Sequence, residues 1–160
     1  MEFDLAGYKP EAVKDNEFEM MKGKGHICKV NSSKIEEVPA GERDGEAYEP
    51  YTRLKYELEV VSDKYKGRRV WKSVNLDSKQ RTGKKEKTPI EKLADTFFTI
   101  GLEFSDLKTL EAANEKFAEM LLLVSFSKFT PPGRDEIQLH TITGVAPDQW
   151  DEEVEPQTEF

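Results

Sequence analysis

Hydrophobic and polar positions alternate most cleanly in LKYELEV, where Leu54, Tyr56, Leu58 and Val60 are separated by Lys55, Glu57 and Glu59. Period two predicts a strand with one buried face. A second strand follows in RRVWKSVNL (68–76), after a turn in SDKYKG (62–67), so the pair predicts a hairpin. Upstream, FEMMKGKGHICKVNSSKIEEV (18–38) reads as extended chain, and Gly23 and Gly25 mark a bulge or bend in it. Residues 1–17 predict an irregular or partly helical lead-in. PAGERDGEAYEP (39–50) is rich in turn formers and acids and predicts an exposed loop. Near the end, MLLLVSFSKF (120–129) and IQLHTITGV (137–145) predict two more strands around the turn TPPGRDE (130–136).

Helical periodicity occupies the space between the third and fourth strands. Thr88 and Glu91 have the spacing of a capping box, and Pro89 falls at the first helical position. Ile90, Leu93, Ala94, Phe97, Phe98 and Ile100 then form an apolar face, and Gly101 is the expected stop. Ser105 is placed to cap a second helix, with Leu107, Leu110, Ala113, Phe117 and Leu121 inward. The sum is a mainly β chain with inserted helices, an α+β class. Five short strands with helices before the last two predict a small, partly open barrel of the OB-fold kind.

Length and composition narrow the class. The 160 residues suffice for one domain with a core, expected over 1–147. No apolar run approaches the roughly 20 residues needed to cross a bilayer, and MEFDLAGYKP does not read as a secretory signal. A single cysteine, Cys28, gives no internal disulfide and fits a reducing cytoplasm. Two histidines, His26 and His140, and that one cysteine are too few to suggest a metal centre or cofactor.

Charge is distributed unevenly. Residues 148–160, DQWDEEVEPQTEF, hold six acids and no base, so a separate disordered tail is expected there. Residues 63–88 hold ten bases against three acids, a local net charge of +7 in a chain of net charge −8. A basic block within an acidic chain calls for an anionic partner or a solvated surface.

Catalytic motifs are absent from the sequence. Neither a Walker loop, a dinucleotide glycine motif nor a nucleophile elbow occurs. His26 and Cys28 share a strand face but lack an orienting third group, and a buried structural cysteine is the commoner outcome. Asp106 and Lys108 have the spacing of some nuclease motifs. They fall at a helix start, where an acid is favoured by the helix dipole. The chain is therefore expected not to be an enzyme.

Binding chemistry is better represented. Lys64, Lys66, Arg68, Arg69 and Lys72 interleave with Tyr65 and Trp71, a pattern suited to phosphates and unpaired bases. On the strand 68–76, Val70, Val74 and Leu76 share one face and Trp71 the other. Trp71 therefore points outward if the aliphatics are core, and inward if the strand is flipped. Lys72 falls on the aliphatic parity, which suggests a barrel mouth or a bulge. Lys79, Arg81, Lys84, Lys85 and Lys87 extend the basic surface through an apolar-free loop, and Tyr51 and Phe129 stand near strand ends as further stacking candidates.

The block LKYELEVVSDKYKGRRVWKSVNLDS, with Tyr65, Gly67, Arg68, Val70, Trp71 and Val74-Asn75-Leu76, resembles the phage single-stranded DNA-binding proteins. LADTFFTIG at the following helix and the acidic tail ending in Phe160 add to that likeness. It covers roughly residues 50–104 and the tail, and the basic loop 77–88 departs from the family pattern. The resemblance implies an OB-fold that binds single-stranded DNA without sequence preference, in replication, recombination and repair within a bacterial host cytoplasm. It implies that Asp151, Glu152, Glu153, Glu155, Glu159 and Phe160 recruit partner proteins and compete with DNA for the basic groove. A homodimer or higher oligomer is compatible with it. Two other readings stand beside it: a protein that binds a host protein by acidic DNA mimicry, and a strand-annealing recombination factor.

Overall fold

A computed structural model describes residues 3, 5, 7–12, 26–61, 66–129 and 137–146, with backbone alone at 127–129 and 137–139. The alternating segment forms the second half of a ten-residue strand, β4, after three others have been laid down. In order these are β1 (His26–Val38), β2 (Gly41–Arg43), β3 (Glu46–Tyr48) and β4 (Tyr51–Val60). β5 (Arg69–Asn75), α1 (Pro89–Thr99), α2 (Leu107–Phe117), β6 (Leu121–Phe129) and β7 (Ile137–Val145) follow.

The main sheet has five antiparallel strands in the order β5-β4-β1-β6-β7. β1 is its centre. Its first residues pair with β6 and most of its length pairs with β4. The register slips between Val30 and Ser32, so Asn31 is an extra residue and β1 bends there. Strands β5-β4-β1-β6 form a Greek key, because β6 returns by a long connection to lie beside β1. Among the described residues no ladder joins β5 to β7, so the expected barrel does not close. Instead α1 packs against both edge strands and covers the opening between them.

Parity decides what is buried. Leu54, Tyr56, Leu58 and Val60 of β4 and Val70, Val74 and Leu76 of the β5 region all enter the core. From the helices Ile90, Leu93, Ala94, Phe97, Leu110, Ala113 and Phe117 join them. Aromatic rings run through this core in a continuous series. Phe3 meets Phe104 at 5.6 Å, Phe104 meets Phe97 at 5.6 Å, and Phe97 meets Phe117 at 5.0 Å. Phe117 meets Tyr56 at 5.1 Å, which meets His140 at 5.6 Å, which lies 6.2 Å from Phe126. Each such pair contributes about 0.5–1.5 kcal/mol beyond its burial. The series ties the N-terminal segment, both helices and the sheet together.

The described part of the lead-in is irregular, one of the two forms expected of it, with a turn at Gly7. Several other expectations are corrected. The loop 39–50 contains the hairpin β2–β3, because Asp44 and Gly45 both take positive φ, +54° and +82°, and make the two-residue turn that Asp-Gly favours. Asp106, not Ser105, caps α2: its carboxylate accepts from the Thr109 backbone nitrogen, while the Thr109 hydroxyl accepts from the Asp106 nitrogen. Thr88 and Glu91 do form the capping box of α1, and Gly101 ends that helix at φ +82°. Phe98 lies 43% exposed, one step off the buried stripe of α1, and Leu107 and Leu121 are half-buried.

His140 is buried among these rings, and its Nε2 has no hydrogen-bond partner among the described residues. Burial, with Lys72 nearby, lowers its pKa to about 3. An unfolded histidine titrates near 6.5. Neutral His140 therefore stabilises the fold fully above pH 6.5, and that contribution is lost as pH falls from 6.5 towards 3. The melting temperature should drop between pH 7 and pH 5, before most carboxylates titrate. His140→Leu should flatten that drop in thermal melts across the same range.

Candidate nucleic-acid interface

β5 is an edge strand with two different faces. Val70 and Val74 are buried, and Trp71, between them on the opposite face, is 56% exposed. The outward placement of Trp71 follows from the strand's period. Its neighbours on that face are mixed in charge. Arg69 forms an ion pair with Glu59 at 3.1 Å, and Glu57 lies directly across from Trp71. Asn31, the bulged residue of β1, donates to both Glu57 and Glu59, at 2.8 and 3.3 Å. Lys66 and Arg68 are exposed at the turn before β5. Lys66 forms no ion pair among the described residues. Lys64 and Tyr65 lie outside the described residues.

Lys72 occupies the inward parity opposite Tyr56, and no bulge interrupts the β4–β5 ladder there. Surrounding protein atoms crowd its ammonium, and that burial, together with Lys92 on α1, lowers its pKa. The residue nevertheless keeps open surface at the sheet edge. Of the two expectations for Lys72, the uninterrupted ladder removes the bulge, and the residue lies on the open edge strand of the sheet.

The basic loop after β5 is folded, not loose. Asn75 Oδ1 accepts from the backbone nitrogens of Asp77 and Ser78, and Asp77 in turn accepts from the Thr52 nitrogen at 2.7 Å. Thr82 and Lys87 then pair as a bridge around a tight turn through 83–86. Three of the five loop bases named from sequence are held by acids. Arg81 donates to Glu91 at 2.9 Å and to the Glu86 carbonyl at 3.0 Å. Lys85 donates to Glu11 at 2.8 Å. Lys87 donates to Glu11 at 2.7 Å and to Asp95 at 2.6 Å. Lys79 and Lys84 are exposed and form no ion pair among the described residues.

The centre of that network is Asp95, buried on α1. Its two oxygens receive the Lys87 ammonium, the Tyr8 hydroxyl at 2.6 Å and the Glu11 backbone nitrogen at 2.9 Å. Burial and the bond to Asp95 push the Tyr8 phenol up to about 12. Burial alone would lower the Lys87 pKa, but its bonds to Asp95, Glu11 and Tyr8 raise it instead. The hydrogen bonds from Lys85 and Lys87 hold Glu11 at about 2. Tyr8, Glu11 and Asp95 were not singled out from the sequence. The available signal is that Glu91 and Asp95 put two acids one turn apart on a helix that follows a basic loop.

The basic block is thus two patches. The turn at 66–69 and the loop at 77–88 leave opposite ends of β5, which at about 3.3 Å per residue separates them by roughly 20 Å. Tyr51 belongs to neither. It makes an edge contact with Tyr48 at 6.0 Å and lines a cavity of about 350 Å³ with Val38, Pro39, Pro50 and the acids Glu37 and Asp77. Two carboxylates make this a poor neighbourhood for phosphate. Phe129 lies on β6, where the backbone alone is described, and the tail residues Asp151, Glu152, Glu153, Glu155, Glu159 and Phe160 lie outside the described residues altogether.

His26 and Cys28 are fully buried in the sheet. Asp106 is a helix cap, and its bonds from Thr109 lower its pKa. Among the described residues no group of three His, Cys, Asp or Glu could hold a metal ion, and no helix is long and apolar enough to cross a membrane. No protein-family model, curated protein or solved structure matches the chain.

Lys87 and Lys84 should respond differently to loss of charge. The Lys87 and Asp95 side chains are only 16% and 8% exposed. Lys87→Met would strand a buried carboxylate and should cost about 3 kcal/mol. Lys84→Met should stay within about 0.5 kcal/mol of the parent. Urea unfolding of the two variants checks this.

Proposed function

We propose that the chain is a single-stranded DNA-binding protein of OB type, without sequence preference, that serves replication, recombination and repair. The observation that carries the reading is the exposed Trp71, set on β5 beside Arg69 and near Lys66 and Arg68. A flat ring with cations within reach offers an unpaired base a stacking surface and its phosphates a counter-charge. More than half of the Trp71 residue is open to solvent, so a ligand can reach its ring.

The architecture supports the same reading. The OB-fold is a partly open, five-stranded Greek-key barrel that binds oligonucleotides on its second and third strands. The corresponding strands of this sheet are β4 and β5, the sheet contains a Greek key, and the helices fall between its third and fourth strands. Trp71 would stack, Lys66, Arg68 and Arg69 would hold the backbone, and Lys79 and Lys84 would meet it again beyond β5. The acidic tail would recruit partner proteins and compete with DNA at low salt. No catalytic step is part of this function.

Oligonucleotides of one length, single- and double-stranded, test the proposal. Binding should favour the single strand, quench Trp71 fluorescence in a Trp150→Phe background, and weaken steeply with salt. Trp71→Ala should cost about 1–3 kcal/mol of binding and leave the melting temperature unchanged within error. Equal or tighter binding to duplex would overturn the reading. Deleting 148–160 should tighten binding at about 50 mM salt and much less at about 300 mM, because the competing charges are then screened. A deletion that weakens binding would remove the tail from the scheme.

A further inference from the structure

We infer that Glu11 is a built-in competitor for phosphate: its carboxylate fills an anion site made by Lys85 and Lys87, and the nucleic acid backbone must displace it. The inference rests on the single-strand reading above and concerns how part of that surface is regulated.

One oxygen, Glu11 Oε1, lies 2.8 Å from the Lys85 ammonium and 2.7 Å from that of Lys87. Two ammonium groups converging on one oxygen make a site for any compact anion, and a phosphodiester oxygen meets the same requirement. The occupant is replaceable. The Glu11 and Lys85 side chains are about half exposed, at 50% and 55%, so their attraction is screened by water and salt. With a pKa near 2, Glu11 is charged at neutral pH and competes as an anion.

The segment does not depend on that carboxylate for its position. The Glu11 backbone nitrogen and the Tyr8 hydroxyl both bond Asp95, and Phe3 packs against Phe104. Lys87 keeps Asp95 as a second partner when Glu11 leaves. The side chain can therefore swing away while the backbone around it stays docked, which is what a reversible cover needs. Displacement would expose Lys85 beside the already exposed Lys84 and complete the loop's cationic surface.

The test is Glu11→Gln in the full chain, which removes the charge and keeps both anchoring bonds. Binding of a single-stranded oligonucleotide should tighten about three- to tenfold at low salt, and the salt dependence should steepen by about 0.7 for each additional phosphate neutralised. Glu86→Gln, which removes an acid from the same loop that bridges no lysine among the described residues, should give much less. Lys85→Met in the Glu11→Gln protein should abolish the gain. Glu11→Asp should give a smaller change in the same direction, and serves if glutamine perturbs folding. If Glu86→Gln tightens binding equally, only net charge matters and the inference falls. If the parent binds single strands with Trp71 quenching but Glu11→Gln binds no better, the inference falls and the single-strand reading stands. If neither protein binds, both fall.

Discussion

A carboxylate buried on a helix must be satisfied, and the satisfaction of Asp95 arranges much of the surface that matters here. An unpaired charge at 6% exposure would be far too costly for the fold to keep. Asp95 instead gathers three donors from two distant segments: Tyr8 and the Glu11 nitrogen from the chain's beginning, and Lys87 from the loop after β5. That requirement folds a twelve-residue stretch with no apolar residue into a defined position. It also explains why a loop of such composition has a bridge and a tight turn, where composition alone predicts only solvation. The capping box of α1 works alongside it, since Glu91 both caps the helix and receives Arg81.

Local patterns were legible in the sequence where one interaction decides them. Period two placed β4 and β5 and left two phases for Trp71, and burial of Val70 and Val74 decides for the outward one. Thr88, Pro89 and Glu91 announced α1 because capping is satisfied within four residues. The misreadings have a common cause. Ser105 lost the cap to Asp106 because Thr109 completes a reciprocal pair with the residue next along, a choice that spacing alone does not make. Phe98 left the core because the stripe of α1 is narrower than its apolar content. The hairpin β2–β3 was missed because its strands, Gly41–Arg43 and Glu46–Tyr48, are too short and polar for periodicity, although Asp44-Gly45 carried the turn signal.

The site was legible as residue types but not as an arrangement. Counting ten bases in 63–88 treats them as one field. In space Arg69, Arg81, Lys85 and Lys87 have acidic partners, and Glu11 comes from more than seventy residues away. No pattern in a single sequence reports a pairing at that separation. Tyr51, an aromatic near a strand end, has neighbours the sequence did not announce: two prolines and two carboxylates line the same cavity.

Partial neutralisation has a physical consequence for any polyanion that approaches this surface. Bare lysines would bind every anion, duplex and single strand alike, through counterion release alone. Each base held by an acid subtracts from that indiscriminate attraction, because its existing bond must be exchanged rather than simply added to. What remains unsubtracted is a few exposed lysines, Lys66, Lys79 and Lys84, and the ring of Trp71, which rewards only a ligand with an open π-face. Balancing cations against nearby acids thus shifts selectivity from charge towards stacking. If the chain binds single strands as proposed, the exposed tryptophan would discriminate and the lysines would mainly hold what it has selected.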